Sequence, residues 1–539
     1  MFASTPDARA RLPLATLALC GLLAAHGCGV SDADLTPGPG STEGFTQGGF
    51  GAGVGQSGAQ DIGEFRAIVN AGQLPAPETL DEVGFFNEHK FELPAPDCGD
   101  DVCLHARLGV WGNFISGANC TMAMLGLNTP LDPDDFPRKP QALVLVVEDS
   151  TGARSEALDI ATQGIAALAD AAHEEDTITL VRFGDEAEVI FTSTPGEDPD
   201  RSRLRAAVVT LGRQGAANMY AGLKLGLEQA AAQGTSETQA RVVLFSASDA
   251  DAGVTEDARA VHLASTYAER GVGITTIATG GEADTVLLRQ ISEVGAGTYY
   301  FVDSATSAQE IFTEEVRTFR SPIAEDITIT FDVAPAYRFR AAYGTRVWEG
   351  TGAGAEIRIP ALFVASRTSI DDVSPGGGRR GGGGAIVLEV TPTANQSALS
   401  ASRPMESIGQ FTMTYTDPRT GDVLTQQRDL VNPLAAGVTP EAGAFDDAQV
   451  EKAFVVLNAY VGTRMALERA ANGAPLDAAS VLEPLLENMR AWNEGPMDAD
   501  IADDIALMTR LQQTIERRIP PSADTRGRDF IPPRPWPRD

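Results

Sequence analysis

Apolar positions follow three rhythms along the chain, and their order sketches the fold. Residues 142–147 are an uninterrupted aliphatic run closed by Glu148 and Asp149, the pattern of a strand buried on both faces and followed by a polar loop. Leu158, Ala161, Ile165, Leu168 and Ala172 then recur at helical spacing. The unit repeats. Residues 177–183, 241–245, 274–278 and 298–302 read as strands, and 204–211, 219–231, 258–270 and 286–294 as helices. This alternation predicts an α/β unit with a doubly wound, mostly parallel sheet, whose ligand-facing loops lie at the carboxyl ends of the strands.

The flanks carry different rhythms. Residues 62–71 and 80–89 read as two short helices joined by a Gly-Pro loop, with Asp81 and Glu82 favouring the start of the second. Leu104, Ala106, Leu108 and Val110 alternate, and Met122 and Met124 follow a turn at Ser116-Gly117, which suggests a hairpin. Beyond the central unit, alternation at 327–331, 357–359, 385–390 and 411–415 predicts a β-rich segment. Its glycine-rich insert at 376–384 is no phosphate loop, because no Lys-Ser or Lys-Thr follows and the next element is a strand. Val450, Phe454, Leu457 and Val461, then Ile501, Ile505, Met508, Leu511 and Ile515, mark two amphipathic helices with residues 480–492 between them, expected to pack as a bundle.

The start of the chain reads as an export signal, with Arg9 and Arg11 ahead of an apolar stretch that Pro13 and its short length disqualify as a membrane span. Its end, Ala25-His26-Gly27-Cys28, resembles the bacterial lipobox, and that resemblance implies lipidation at Cys28. Residues 31–60 hold Gly, Ser, Thr and Pro with almost no large apolar side chains, the composition of a tether. The resulting division is 1–28 signal peptide, 29–60 disordered tether, 61–140 N-terminal α+β segment and 141–320 α/β domain. It continues with 321–435 β-rich domain, 436–519 helical segment and 520–539 disordered tail. Export also governs the cysteines. Of Cys98, Cys103 and Cys120, two are expected to pair in an oxidising compartment and one to remain, while the spacing is a poor match to a zinc site. The formal charge of −33 argues against nucleic acid as a partner.

The central stretch, over about 141–315, resembles a von Willebrand factor type A (VWA) domain. The residues that carry the resemblance include 143–152, Gln214-Gly215-Ala216-Ala217-Asn218 followed by Ala221-Gly222-Leu223, Val242 to Ser246, and Val294-Gly295-Ala296-Gly297-Thr298-Tyr299. Many such domains hold a divalent cation through an Asp-x-Ser-x-Ser loop, a Thr and a third-loop Asp, oxygen donors suited to a hard metal. On that pattern Asp149 and Thr151 occupy the first two places, while Ala153, Ala217 and Ala247 occupy the others and offer no lone pair. The site thus reads as vestigial, with no metal and no cofactor. A one-residue slip would place Glu148 and Ser150 in the first pair, but Thr151 and Gly152 then fail the pattern and the other two loops stay empty. An alternative cation site would gather Asp149, Asp249 and Asp251. The flanks, through Asn70-Ala71-Gly72-Gln73-Leu74-Pro75 and Phe85-Phe86-Asn87, resemble a bacterial group of VWA proteins sometimes labelled calcium-activated chloride channel-like.

Catalysis is not indicated. His89, His105, His173 and His262 sit in no metal-binding spacing and beside no plausible nucleophile, and no Gly-x-Ser-x-Gly elbow joins a strand to a helix. The expectation is a non-enzymatic lipoprotein of the bacterial cell envelope, outer-membrane or periplasm-facing. Its VWA domain would bind an envelope or extracellular protein through Asp149, Thr151, Asn218, Ser246 and Asp249, with the membrane reached through the lipid anchor. Metal-dependent adhesion and a purely structural envelope role are the alternatives.

Overall fold

The structure is a computed structural model that describes residues 52–131, 139–304, 306–309, 311–312, 322–364, 383–393, 406–434 and 436–520. In chain order the elements begin with strands β1 (Ala52–Gln56) and β2 (Gly58–Ala59), helices α1 (Gly63–Asn70) and α2 (Glu82–Asn87), and strands β3 (Cys103–Gly112) and β4 (Asn119–Thr129). The central unit follows as β5 (Gln141–Glu148), α3 (Ser155–Ala171), β6 (Thr177–Phe183), β7 (Ala187–Ser193), α4 (Ser202–Val208), α5 (Met219–Gln233), β8 (Gln239–Ser246), α6 (Asp257–Ala268), β9 (Val272–Thr279), α7 (Thr285–Val294) and β10 (Thr298–Val302). Then come β11 (Ala324–Val333), β12 (Tyr337–Tyr343), β13 (Trp348–Thr351), β14 (Gly354–Val364), β15 (Ile386–Pro392), β16 (Glu406–Thr416), β17 (Val423–Asn432) and β18 (Ala444–Phe445), and helices α8 (Ala448–Ala471), α9 (Pro475–Asn493) and α10 (Ala499–Glu516).

The alternating centre builds the expected α/β unit. Its seven-stranded sheet runs β2-β10-β9-β8-β5-β6-β7, parallel throughout except for β7, an antiparallel edge the hydrophobic pattern did not announce. Every residue of β5 is buried, which explains its unbroken aliphatic run. Strand parity splits these side chains. Val144 and Val146 join Val242 and Leu244 under α5, α6 and α7, whereas Leu143, Leu145 and Val147 join Val243 and Phe245 under α3 and α4. Each fully buried aliphatic side chain contributes about 2 kcal/mol. Close packing needs glycine at one crossing, since a Cβ on Gly226 of α5 would lie 2.4 Å from Val146 Cγ2.

The second sheet has eleven strands in the path β12-β15-β4-β1-β14-β11-β16-β17, with β13 on β14, β3 on β4 and β18 on β3. It draws β1, β3 and β4 from before the α/β unit and the rest from after it, so sheet membership does not follow the sequence divisions at 140 and 321. Its core joins Leu104, Leu108 and Leu125 to Ile327, Ile329, Phe331, Phe411 and Met413. The helices form a third core with α1, α2, β3 and β4. Helix α8 is buried along most of its circumference, between the α1–α2 side and the hairpin, and residues 480–492 form most of a full helix, α9.

Two expectations need revision. Residues 52–59, read as part of the tether, pair with both sheets: β1 lies between β4 and β14, and β2 adds in parallel to the edge of β10. Small side chains suffice there because backbone ladders hold the segment, with Val54 and Ala59 its apolar contributions to the two cores. Cys98 and Cys103 form a disulfide, and Cys120 is disulfide-bonded too, so the expected odd thiol among the three is not found. The signal segment, Cys28, residues 29–51 and 521–539 lie outside the described residues.

Candidate functional site

The loops at the carboxyl ends of β5, β6 and β8 meet at one edge of the α/β sheet. Because β5 pairs with β8 in the register Val144↔Val242, the side chain of Glu148 continues the Val144–Val146 face and arrives beside Ser246. Its carboxylate is buried and fully occupied. Ser150 Oγ donates to Oε1 at 2.6 Å, and Ser248 Oγ donates to the same oxygen. Oε2 accepts from Ser246 Oγ at 3.0 Å, Ala247 N at 2.7 Å and Ser248 N at 3.1 Å. Ser150 Oγ in turn accepts from the amides of Gly152 and Ala153 at 3.1 and 3.2 Å, which closes the first loop. The third loop packs so tightly on it that a Cβ at Gly152 would sit 2.8 Å from Ser248 Oγ.

Asp149 points the other way. Its Oδ1 accepts from the amides of Gly212 and Arg213 at 2.7 and 2.6 Å, and its Oδ2 has only Arg182 Nη1 nearby, at 3.7 Å. Thr151 is exposed, and its hydroxyl and amide donate to the carbonyl of Gly215 at 2.8 and 2.9 Å. Ala153 and Ala247 meet each other and Ala157 in a small apolar cluster. Ala217 is buried, and its amide donates to Asp251 Oδ1 at 2.6 Å. Asn218 caps α5, accepting from Ala221 N at 3.2 Å and donating to the carbonyl of Asp185 at 3.1 Å. Ser246 is buried beneath Glu148 rather than presented at the edge.

Of the named face, Thr151 and Asp249 are exposed, Asn218 is half-buried, and Asp149 and Ser246 are internal. Burial, Asp284 and Glu148 all push the Asp249 carboxyl above the usual range. Sequence reasoning put Asp149 in the first-ligand place, yet Glu148 and Ser150, the one-residue slip, face the third loop. Asp185, Arg182, Arg213 and Ser248 were not singled out, and only Ser248, two residues beyond the strand end, carried a signal.

This donor set does not fit a divalent cation. Three ligand places of the family pattern are alanines, the Thr151 hydroxyl is bonded to Gly215, and Asp149 keeps only Oδ2 without a hydrogen bond, beside the Arg182 guanidinium, while a cation would have to displace five hydrogen bonds to reach Glu148. Asp149, Asp249 and Asp251 are not gathered either, since Asp149 and Asp251 bind amides of different loops. Among the described residues no group of three or more His, Cys, Asp or Glu is placed to hold a metal.

Residues 142–314 match the family model of the von Willebrand factor type A domain. The uncharacterized protein YfbK of Escherichia coli (strain K12) is 23% identical over 201 residues, which are 37% of this chain and 35% of that protein. The chain therefore spans about a third of the length of this curated relative. Among solved structures, a von Willebrand factor type A protein from Catenulispora acidiphila is 13% identical at a TM-score of 0.46, over 78% of this chain and 89% of the other. The ArnB paralog VWA2 from Sulfolobus acidocaldarius is 12% identical at a TM-score of 0.42, over 78% of this chain and 98% of the other. The α/β unit of this chain is thus a von Willebrand factor type A domain.

Proposed function

We propose that the chain is a non-enzymatic protein of the bacterial cell envelope, held at a membrane by a lipid on Cys28, whose VWA domain captures another envelope or extracellular protein without a metal. The observation that carries the metal-free reading is the closed network around Glu148, in which five donors take the place of a cation. The exposed rim supports protein capture. Thr151, Arg154, Arg213, Asp249 and Glu282 present mixed charge around an edge whose interior is already satisfied.

Two measurements test this. Millimolar magnesium, manganese or calcium should leave the melting temperature unchanged, because a ligand stabilises the folded state only through its affinity. A rise of several degrees that Glu148→Gln removes would restore a metal site. Asp249→Lys, on the exposed rim, should weaken recovery of partners from envelope extract with the circular dichroism spectrum unaltered. Equal recovery would favour the structural role instead. For the anchor, Cys28→Ser should move the protein from the membrane fraction to the soluble one. Cys28 has a single sulfur, so a disulfide to Cys120, found by peptide mass spectrometry, would overturn the lipid reading.

A further inference from the structure

Outside the VWA domain, the helical bundle encloses a cluster of ionisable side chains that the candidate binding edge does not use. Lys452 projects from the first turns of α8, and Asp498 and Asp500 stand at the start of α10; the three residues are 2%, 8% and 0% exposed. Lys452 Nζ lies 2.7 Å from Asp498 Oδ2 and 3.3 Å from Asp500 Oδ2, and it donates to the carbonyl of Lys90 at 2.9 Å. The ring of Phe91 covers the amine, 5.6 Å from centroid to nitrogen. Asp500 Oδ2 also accepts from the Lys90 amide at 3.3 Å.

Asp498 is held by more than its helix. Asn493 binds its backbone on both sides, with Oδ1 accepting from the Asp498 amide at 2.7 Å and Nδ2 donating to the Asp498 carbonyl at 3.0 Å. Asp498 Oδ1 accepts from Ile501 N at 3.1 Å and so caps α10. Met497, the residue before it, takes a φ of 50°, a left-handed conformation that costs a side-chain-bearing residue energy and that the surrounding bonds must maintain. The outcome is a carboxyl group fixed at its backbone and at one oxygen, with the other oxygen turned to the amine.

An amine and a carboxyl group held in contact away from water are the reactants of an amide. We propose that Lys452 and Asp498 condense into an isopeptide bond, with Asp500 as the proton carrier. Asp500 takes a proton from the ammonium, the freed Nζ lone pair attacks Asp498 Cγ, one bond beyond the oxygen it touches, and Asp500 passes two protons in turn from nitrogen to the departing oxygen. The bond formed is Nζ–Cγ and the bond broken is Cγ–Oδ2. Ammonium plus carboxylate gives amide plus one water, so no oxidant, nucleotide or other reactant is consumed. Asp498 is the acceptor because it stands nearer and offers Oδ2 to the amine, whereas Asp500 Oδ2 is shared between the amine and the Lys90 amide. Two effects favour the step. Fixed contact between reactants is worth an effective concentration of about 10⁵ M or more. A neutral amide also removes a buried charge pair whose attraction repays its desolvation only in part. The bond would close residues 452–498 into a covalent loop through α9, so that α8 and the start of α10 could no longer part.

The full chain, unfolded, reduced and digested with trypsin, reads the bond by peptide mass spectrometry. A condensed Lys452 is no longer a cleavage site, so residues 429–464 should appear joined to residues 491–510, one water lighter than the two peptides together, with fragment ions placing the link between Lys452 and Asp498. Lys452→Arg keeps the charge but has no amine to condense, and it should release 429–452, 453–464 and 491–510 separately. Asp500→Asn keeps the shape but carries no proton, and it should lower the joined fraction at least tenfold with the circular dichroism spectrum unaltered. Separate peptides from the wild-type chain, cleaved after Lys452, overturn the proposal whatever the variants do. So does a joined pair that persists at wild-type yield in Asp500→Asn, or a link found at Asp500.

Discussion

A buried carboxylate is costly unless its oxygens are occupied, and Glu148 meets that condition with three hydroxyl and two amide donors drawn from two loops. The residue works as an internal substitute for a cation, drawing the first and third loops together from inside. Glu148→Ala should destabilise the chain by about 3 kcal/mol or more, because it strands several buried donors at once, and Glu148→Gln should cost less since one oxygen remains. Thermal or denaturant unfolding reads the difference, and equal stability of Glu148→Ala and wild type would refute the assignment. Asp149, the residue the motif spacing favours, serves the neighbouring loop through the Gly212 and Arg213 amides. Spacing alone could not separate these two acids, because a shift of one residue exchanges the faces of a strand end. The partner strand settles the matter, placing Ser246 on the Glu148 side.

Among the elements, β1 and β2 depart furthest from their composition. A stretch of small residues has little to bury, yet Val54 is buried in one core with Leu125, Leu127, Ile329, Ile359 and Leu362, where β1 joins two halves of the second sheet. Val54→Asp should therefore cost about 3 kcal/mol by placing an unpaired charge in an apolar niche, and a melting temperature within a degree or so of wild type would show that β1 contributes nothing. The Cys98–Cys103 disulfide fastens the chain ahead of β3, beside Gln426 of β17, which donates to the carbonyl of Val102 at 2.6 Å. Closing so short a loop is worth about 2 kcal/mol by chain entropy. Cys98→Ser with Cys103→Ser should lower the unfolding free energy by that amount in a denaturant titration. The helical rhythm of the bundle was legible because apolar positions repeat at 3.6-residue spacing, whereas the burial of α8 on nearly all sides came from neighbours far away in sequence.

At the level of the molecule, the three parts share cores instead of standing as beads. The bundle core includes Phe65 and Phe85 before the VWA domain, Trp111 and Met122 of the hairpin, and Val387 of β15. Residues 441–520 expressed alone should consequently lack the near-ultraviolet circular dichroism of packed aromatic side chains, since the apolar partners from the rest of the chain are missing. A native-like near-ultraviolet spectrum from that fragment would contradict the shared core.

What the sequence determined by itself was what local periodicity and residue type carry: the strand and helix order of the VWA domain apart from its edge strand β7, the hairpin, the bundle helices, and the alanines standing where metal ligands would be. Those features need only the chain's own spacing, because side-chain direction within one element follows from its dihedrals. Tertiary structure alone decided which of two adjacent acids enters the site, where the small residues 52–59 pair, and how strands from both sides of the VWA domain merge into one sheet. It also brought Asp81 to Arg289 and Arg346, each more than two hundred positions further along the chain, since long-range pairing is set by which surfaces the folded elements bring together.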